Sequence, residues 1–96
     1  MPMYVSLINW TDQGIRTVKD SPKRLEATRK ALKKLGGELK AFYMLQGHYD
    51  GVLIFEVPNE EALTNFLLTT GAAGNVRTTT LRAFTETEFL KHIAAL

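Results

Sequence analysis

The chain has 96 residues, of which 45% are hydrophobic and 23% are charged, a composition typical of one compact soluble domain. It contains no cysteine, which excludes disulfides, thiolate nucleophiles and cysteine-ligated metal centres. No segment approaches the roughly 20 apolar residues that a membrane-spanning helix needs. We therefore expect a single domain over residues 1–96, located in the cytoplasm and without a membrane partner.

The charges are distributed unevenly along the sequence. Residues 16–40 carry nine basic and three acidic side chains, a net charge of +6, and the remainder of the chain carries −4. The basic run from Lys23 to Lys34 contains no aromatic residue and no nucleic-acid-reading motif. We interpret it as the solvated face of a helix and predict no specific nucleic-acid binding.

The first half of the chain predicts a strand, a helix and a second strand. Met3 to Trp10 alternates with apolar residues on both faces, which is typical of a central strand. Ile15 to Lys19 can form about one helical turn, and Ser21 followed by Pro22 predicts the start of a helix with Ser21 as its N-cap. Gly36 and Gly37 end that helix, and Glu38 to Leu45 alternates as a strand.

The second half begins with the most apolar segment of the chain, Gly51 to Val57, which reads as a second central strand after a short hairpin connection. Asn59 predicts the cap of a helix that ends near Gly71. The polar alternation of Val76 to Phe84 suits an edge strand. Thr85 and Glu88 are spaced as a capping box for a last helix.

This order of elements predicts an α+β fold, a ferredoxin-like β-α-β-β-α-β sandwich with an extra C-terminal helix. The first and third strands would be central and the other two would lie at the edges. Two helices cover one face of such a sheet, yet the central strands are apolar on both faces. A second copy of the chain is the economical cover, through Tyr4, Ile8 and Trp10 or through the opposite residues of that strand. The alternative is that the C-terminal helix folds back over this face.

Four segments carry a resemblance that spans nearly the whole chain. They are Thr11 to Arg16, Asp20 to Arg24, Gly47 to Gly51, and Gly74 to Thr85. Together they resemble the GYD-domain family of small bacterial and archaeal proteins. The resemblance implies a homodimeric, or higher oligomeric, α/β barrel and leaves the biochemical activity open. His48 stands where an arginine often precedes the Tyr-Asp pair, so a role needing a permanent positive charge there is not expected.

Two polar groups are candidates for a small-molecule site. His48, Tyr49 and Asp50 lie between glycines, where a phenol and a carboxylate could orient a ligand, although an aspartate in a hairpin more often caps turn amides. Thr78, Thr80 and Arg82 share one face of their strand. We predict that this face points away from the helices and forms one pocket for an anionic or carbonyl-bearing ligand. The other members of the predicted pocket are Ser6, Trp10 and Tyr43.

No metal site or cofactor is predicted. His48 and Asp50 lie on one side of an extended segment, but no third ligand stands at a matching spacing, and His92 is on the last helix. No catalytic motif is present. Three hypotheses remain: a ligand-binding or sensing module, a cofactor-free enzyme such as a monooxygenase or isomerase, and a purely structural oligomer.

Overall fold

The computed structural model describes residues 1–96 as one four-stranded sheet with helices on one side. The elements are β1 (Met3–Trp10), α1 (Asp12–Arg16), a 3-10 turn (Val18–Asp20), α2 (Ser21–Lys34), β2 (Glu38–Met44), β3 (Gly51–Glu56), α3 (Glu60–Ala72), β4 (Val76–Ala83) and α4 (Glu86–Ala94). The strand order is β2-β3-β1-β4, and every neighbouring pair is antiparallel. This confirms the ferredoxin-like α+β arrangement with β1 and β3 in the centre.

The core lies between the sheet and the helices α2 and α3. Phe55 is fully buried at its centre, where its ring packs against Tyr4 at 5.8 Å and Phe66 at 5.0 Å between centroids. Leu32 of α2 and Phe66 of α3 cover this face of the sheet. Because Tyr4 and Phe55 are paired across β1 and β3, their common side of the sheet is the side that the helices cover.

The opposite surface of the sheet, here called the open face, has no layer of this chain over it. Its side chains alternate with the core residues along each strand and form two rows that cross all four strands. The rows are Ala41, Ile54, Val5 and Leu81, and Tyr43, Val52, Leu7 and Thr79. None of these residues belongs to the core or packs against it. The open face is therefore an apolar surface in contact with solvent.

α4 does not cover the open face. Phe89, Leu90 and Ile93 on its apolar side are each half exposed, and its aromatic contact is to Phe84, which follows β4. The alternative in which the C-terminal helix folds back over the sheet is therefore wrong for this chain. None of the helices combines the length and the apolar character that a passage through a membrane requires.

The predicted N-caps agree with the structure for α3 and α4 and differ for α2. Asn59 accepts a hydrogen bond from the amide of Ala62 at 2.8 Å, and Thr85 and Glu88 form the expected capping box. Ser21 is not the N-cap of α2. The 3-10 turn runs directly into the helix, so Ser21 already has helical backbone angles and its hydroxyl accepts from Arg24 instead.

The first helix also begins earlier than expected. Thr11 caps α1 by accepting from the amide of Gly14 at 3.1 Å, so the helical turn occupies Asp12–Arg16 rather than starting at Ile15. At the other end of α2, Gly36 has a φ of 83°, the left-handed conformation that glycine adopts after a helix, and the helix ends where Gly36 and Gly37 predict.

Candidate functional site

The His48-Tyr49-Asp50 loop is fastened to the end of β1. Asp50 accepts a hydrogen bond from the backbone amide of Trp10 at 2.9 Å and donates its own amide to Ile8 at 2.8 Å. Asn9 donates its side-chain amide to the carbonyl of His48 at 2.7 Å. The Asp50 carboxylate therefore accepts from an amide at the end of β1 rather than from an amide of its own turn, and it extends the pairing of β1 beyond the end of β3.

Thr78, Thr80 and Arg82 lie on the face that the helices cover, so their predicted placement on the open face is wrong. Thr80 pairs with Ser6 across β1 and β4, and the two hydroxyl oxygens are 2.9 Å apart. Ser6 is fully buried, so this contact satisfies a hydroxyl inside the core. Leu81 and Ala83, the apolar residues that alternate with Thr80 and Arg82, lie on the open face. Because both sides of the sheet are apolar, apolar character alone does not identify the side that the helices cover.

Arg82 does not pair with Asp50, since the two residues lie near opposite ends of β1. Its Nη1 donates to the carbonyl of Met3 at 3.1 Å and to the carbonyl of Ala83. The guanidinium carbon lies 4.3 Å from the ring centroid of Phe84 and 5.7 Å from that of Tyr4. These contacts compensate the charge locally without a carboxylate partner.

The predicted aromatic members of the pocket are separated as well. Tyr43 pairs with Val52 and therefore lies on the open face, where 59% of its surface is exposed. Trp10 alternates in phase with Tyr4 and Ile8 and lies on the other side of the sheet. Trp10 and Tyr43 therefore cannot line one cavity within this chain.

Arg82 instead lines a groove of about 540 Å³ on the helix side, open to solvent. The groove lies between the start of α3 and the ends of β1 and β4. Its lining residues are Pro2, Tyr4, Asn59, Glu60, Leu63, Thr64 and Arg82. Nε and Nη2 of Arg82 make no hydrogen bond within the chain, so these donors are available to a ligand with acceptor oxygens.

The histidines and carboxylates are dispersed. No three histidine, cysteine, aspartate or glutamate side chains come close enough together to share a metal ion. His92 lies on α4, where its ring meets the ring of Phe84 edge to face with 5.2 Å between the centroids.

A group of charges borders the open face at one end. Lys40 bridges two carboxylates, at 2.9 Å from Glu56 and 3.2 Å from Glu38. The hydrogen bond to Glu56 and the second one to Glu38 raise the pKa of Lys40. An apolar centre with charged residues at its margin is the composition of a protein-binding surface.

The sequence predicts an uncovered apolar face of the sheet but leaves open whether Tyr4, Ile8 and Trp10 or the opposite residues of β1 form it, and the structure places the opposite residues on the open face. Strand parity shows that β1 and β3 each have two apolar sides, but it does not say which side the helices take. One feature of the sequence indicates the side that the helices cover. Ser6 is a small polar residue in a central strand, and its hydroxyl, once buried, needs a partner such as Thr80 on the same face of the sheet.

The model of the GYD domain family matches residues 4–93 of the chain. The chain belongs to the GYD family. This GYD protein is 30% identical over 84 residues to a Thermus thermophilus protein named "Glutamine synthetase and cystathionine beta-lyase binding protein". The match covers 86% of this chain and 88% of that relative.

Solved structures share the fold of this GYD protein at low sequence identity. The crystal structure of FFRP-DM1 has a TM-score of 0.63 at 20% identity, covering 88% of this chain and all of that one. The crystal structure of MtbAldR has a TM-score of 0.69 at 16% identity, and the match covers 88% of this chain but about half, 52%, of that protein. These similarities show the fold.

Proposed function

We propose that this GYD protein is a homodimeric protein-binding module in which two chains pair through their open faces to form an α/β barrel. The observation that carries the proposal is the open face, two apolar rows across all four strands that nothing in the chain covers. The name of the Thermus thermophilus relative supports the protein-binding part, since that protein is named for its binding to two enzymes.

The size of the open face fits a dimer. Four strands at about 4.8 Å spacing and eight residues at about 3.3 Å rise give a face of roughly 19 by 26 Å, or about 500 Å². Two such faces together bury about 1,000 Å², which is near the lower limit for a specific interface. The exposed apolar side of α4 provides additional surface that such a dimer can use.

The proposal is tested by substituting Leu7, which lies in the middle of the open face. Leu7→Glu places a carboxylate in the centre of the interface, where burial without a partner is costly, so we expect a monomer. The wild type should sediment at twice the chain mass of 10.8 kDa. The matched control is Leu68→Glu on α3, which replaces a leucine that is already 69% exposed and should remain dimeric.

A monomeric wild type at micromolar concentration, or a Leu7→Glu variant that still dimerises, would overturn the homodimer. The protein-binding part of the proposal is tested separately. We expect the chain to cosediment with the glutamine synthetase or the cystathionine β-lyase of its source organism. Binding to neither enzyme would remove the support that the relative's name gives.

A second candidate, a small-molecule module, is favoured by the unpaired donors of Arg82 in the groove beside α3. The chemistry suits a small carboxylate or phosphate. Titration with malonate and with inorganic phosphate should shift the amide resonances of Leu63 and Thr64, and Arg82→Gln should abolish the shifts while Lys91→Gln leaves them unchanged. Equal shifts in both variants would eliminate this candidate.

A further inference from the structure

The outer side of α2 carries a row of lysines, here called the lysine row, formed by Lys23, Lys30 and Lys34. Because successive residues of a helix are rotated by about 100°, these positions fall within about 40° of one another and span roughly 16 Å along the axis. Leu32, which is fully buried in the core, lies on the opposite side of the helix. All three lysines are exposed and point away from the sheet.

No lysine of the row takes part in an ion pair. The ion pairs of the molecule join Arg29 to Glu26, and Lys40 to Glu38 and Glu56. Glu26, the only acidic residue of α2, lies one turn from Lys23 and from Lys30 and lowers the potential beside them. α2 carries six basic side chains against this one acidic side chain, so the potential along the lysine row is positive overall.

We infer that the lysine row is a docking surface for an acidic surface of the protein that this module binds. The inference rests on the proposed protein-binding function and names the chemistry of the partner. An ammonium group attracts any anion as a point charge, and the anions of a protein surface are its carboxylates, so a partner that is a protein must present an acidic surface to this row. The lysine row lies on the side of the sheet opposite the open face, so it remains accessible in the proposed dimer, which would display two rows.

The composition of the row argues against a single-stranded nucleic acid as its occupant. α2 contains no aromatic side chain on which a base could stack, and the arginines of α2 are engaged within the chain. Arg24 donates to the carbonyl of Gly14 and to Ser21, which leaves lysines as the contacting groups. A membrane surface is less favoured, because Ala27 is the only apolar residue beside the row and cannot insert among lipid chains.

The test measures binding of a fluorescent 15-residue peptide rich in glutamate and aspartate by fluorescence anisotropy at several salt concentrations. The wild type should bind it with an affinity that falls as salt rises. The variant Lys30→Gln/Lys34→Gln should bind about three- to tenfold more weakly, which is the effect expected from two exposed ion pairs. The control Arg77→Gln/Lys91→Gln removes the same net charge from β4 and α4, away from α2, and should bind within about twofold of the wild type.

Equal losses in the two variants would overturn the inference, since net charge alone would then explain binding. Tighter binding of a duplex DNA or of vesicles containing phosphatidylserine than of the peptide, at the same salt, would overturn it too. Sedimentation of each variant separates this inference from the proposed function. A dimer that fails to bind the peptide contradicts the lysine row alone, and a monomer that binds it through the row contradicts the homodimer alone.

Discussion

Phe55 is the residue on which the core depends most. Its ring is fully buried between Tyr4 of the neighbouring strand and Phe66 of α3, so it joins the sheet to a helix. A residue that couples two layers stabilises both of them, because the contacts on either side are lost together when it is removed.

Phe55→Ala should lower the free energy of unfolding by about 3–5 kcal/mol, because the cavity left by the ring cannot be filled by its neighbours. The matched control is Phe89→Ala on α4, where the ring is half exposed and the loss should stay below about 1.5 kcal/mol. Lys33→Ala should change stability by less than about 0.5 kcal/mol. Denaturant titration measures all three, and similar midpoints for the two phenylalanine variants would contradict this assignment of the core.

At the scale of single elements, α4 depends on the capping box at its N-terminus, because its apolar side is half exposed. Thr85 accepts from the amide of Glu88 at 3.1 Å, and Glu88 accepts from the amide of Thr85 at 2.9 Å. The second of these hydrogen bonds holds the pKa of Glu88 below its usual value. A helix of nine residues is marginal in isolation, so the cap matters more here than in α2 or α3.

Because the pKa of Glu88 is lowered in the folded state, α4 should lose stability as the pH falls. The contribution of Glu88 is present in full above the unfolded pKa of a glutamate, about 4.3, and is lost as pH falls through the lower folded value. Helical ¹³Cα shifts of α4 should therefore decline in acid for the wild type and stay constant for Glu88→Gln, whose amide oxygen still accepts but does not titrate. Shifts that decline equally in both proteins would show that another group controls the helix.

The helices and strands can be predicted closely from the local sequence. The side of the sheet on which each strand residue lies cannot. Asn59 and Thr85 were identified as caps because a side-chain oxygen next to an apolar run has one evident use. Ser21 was misassigned because the preceding 3-10 turn could not be foreseen. The predicted pocket around Thr80 failed for a different reason: which side of a doubly apolar strand receives the helices depends on contacts between distant segments.

As a whole, the molecule is thin and extended. Its extents are 49 × 31 × 18 Å, and the radius of gyration of 14.3 Å exceeds the ~12.5 Å expected for a compact chain of this length. A thickness of 18 Å corresponds to one sheet and one layer of helices. The molecule therefore has one layer of helices on its sheet and no layer on the open face.

The irregular pairing of the edge strand β2 affects whether another chain can add a strand to the sheet. The register of β2 against β3 shifts between Leu39 and Ala41, so Lys40 is an extra residue at the edge of the sheet. A bulge that carries a lysine disfavours the addition of a further strand, which is the step that begins the growth of fibrous aggregates. A chain with a large uncovered apolar surface is thereby protected on this edge from continuous polymerisation.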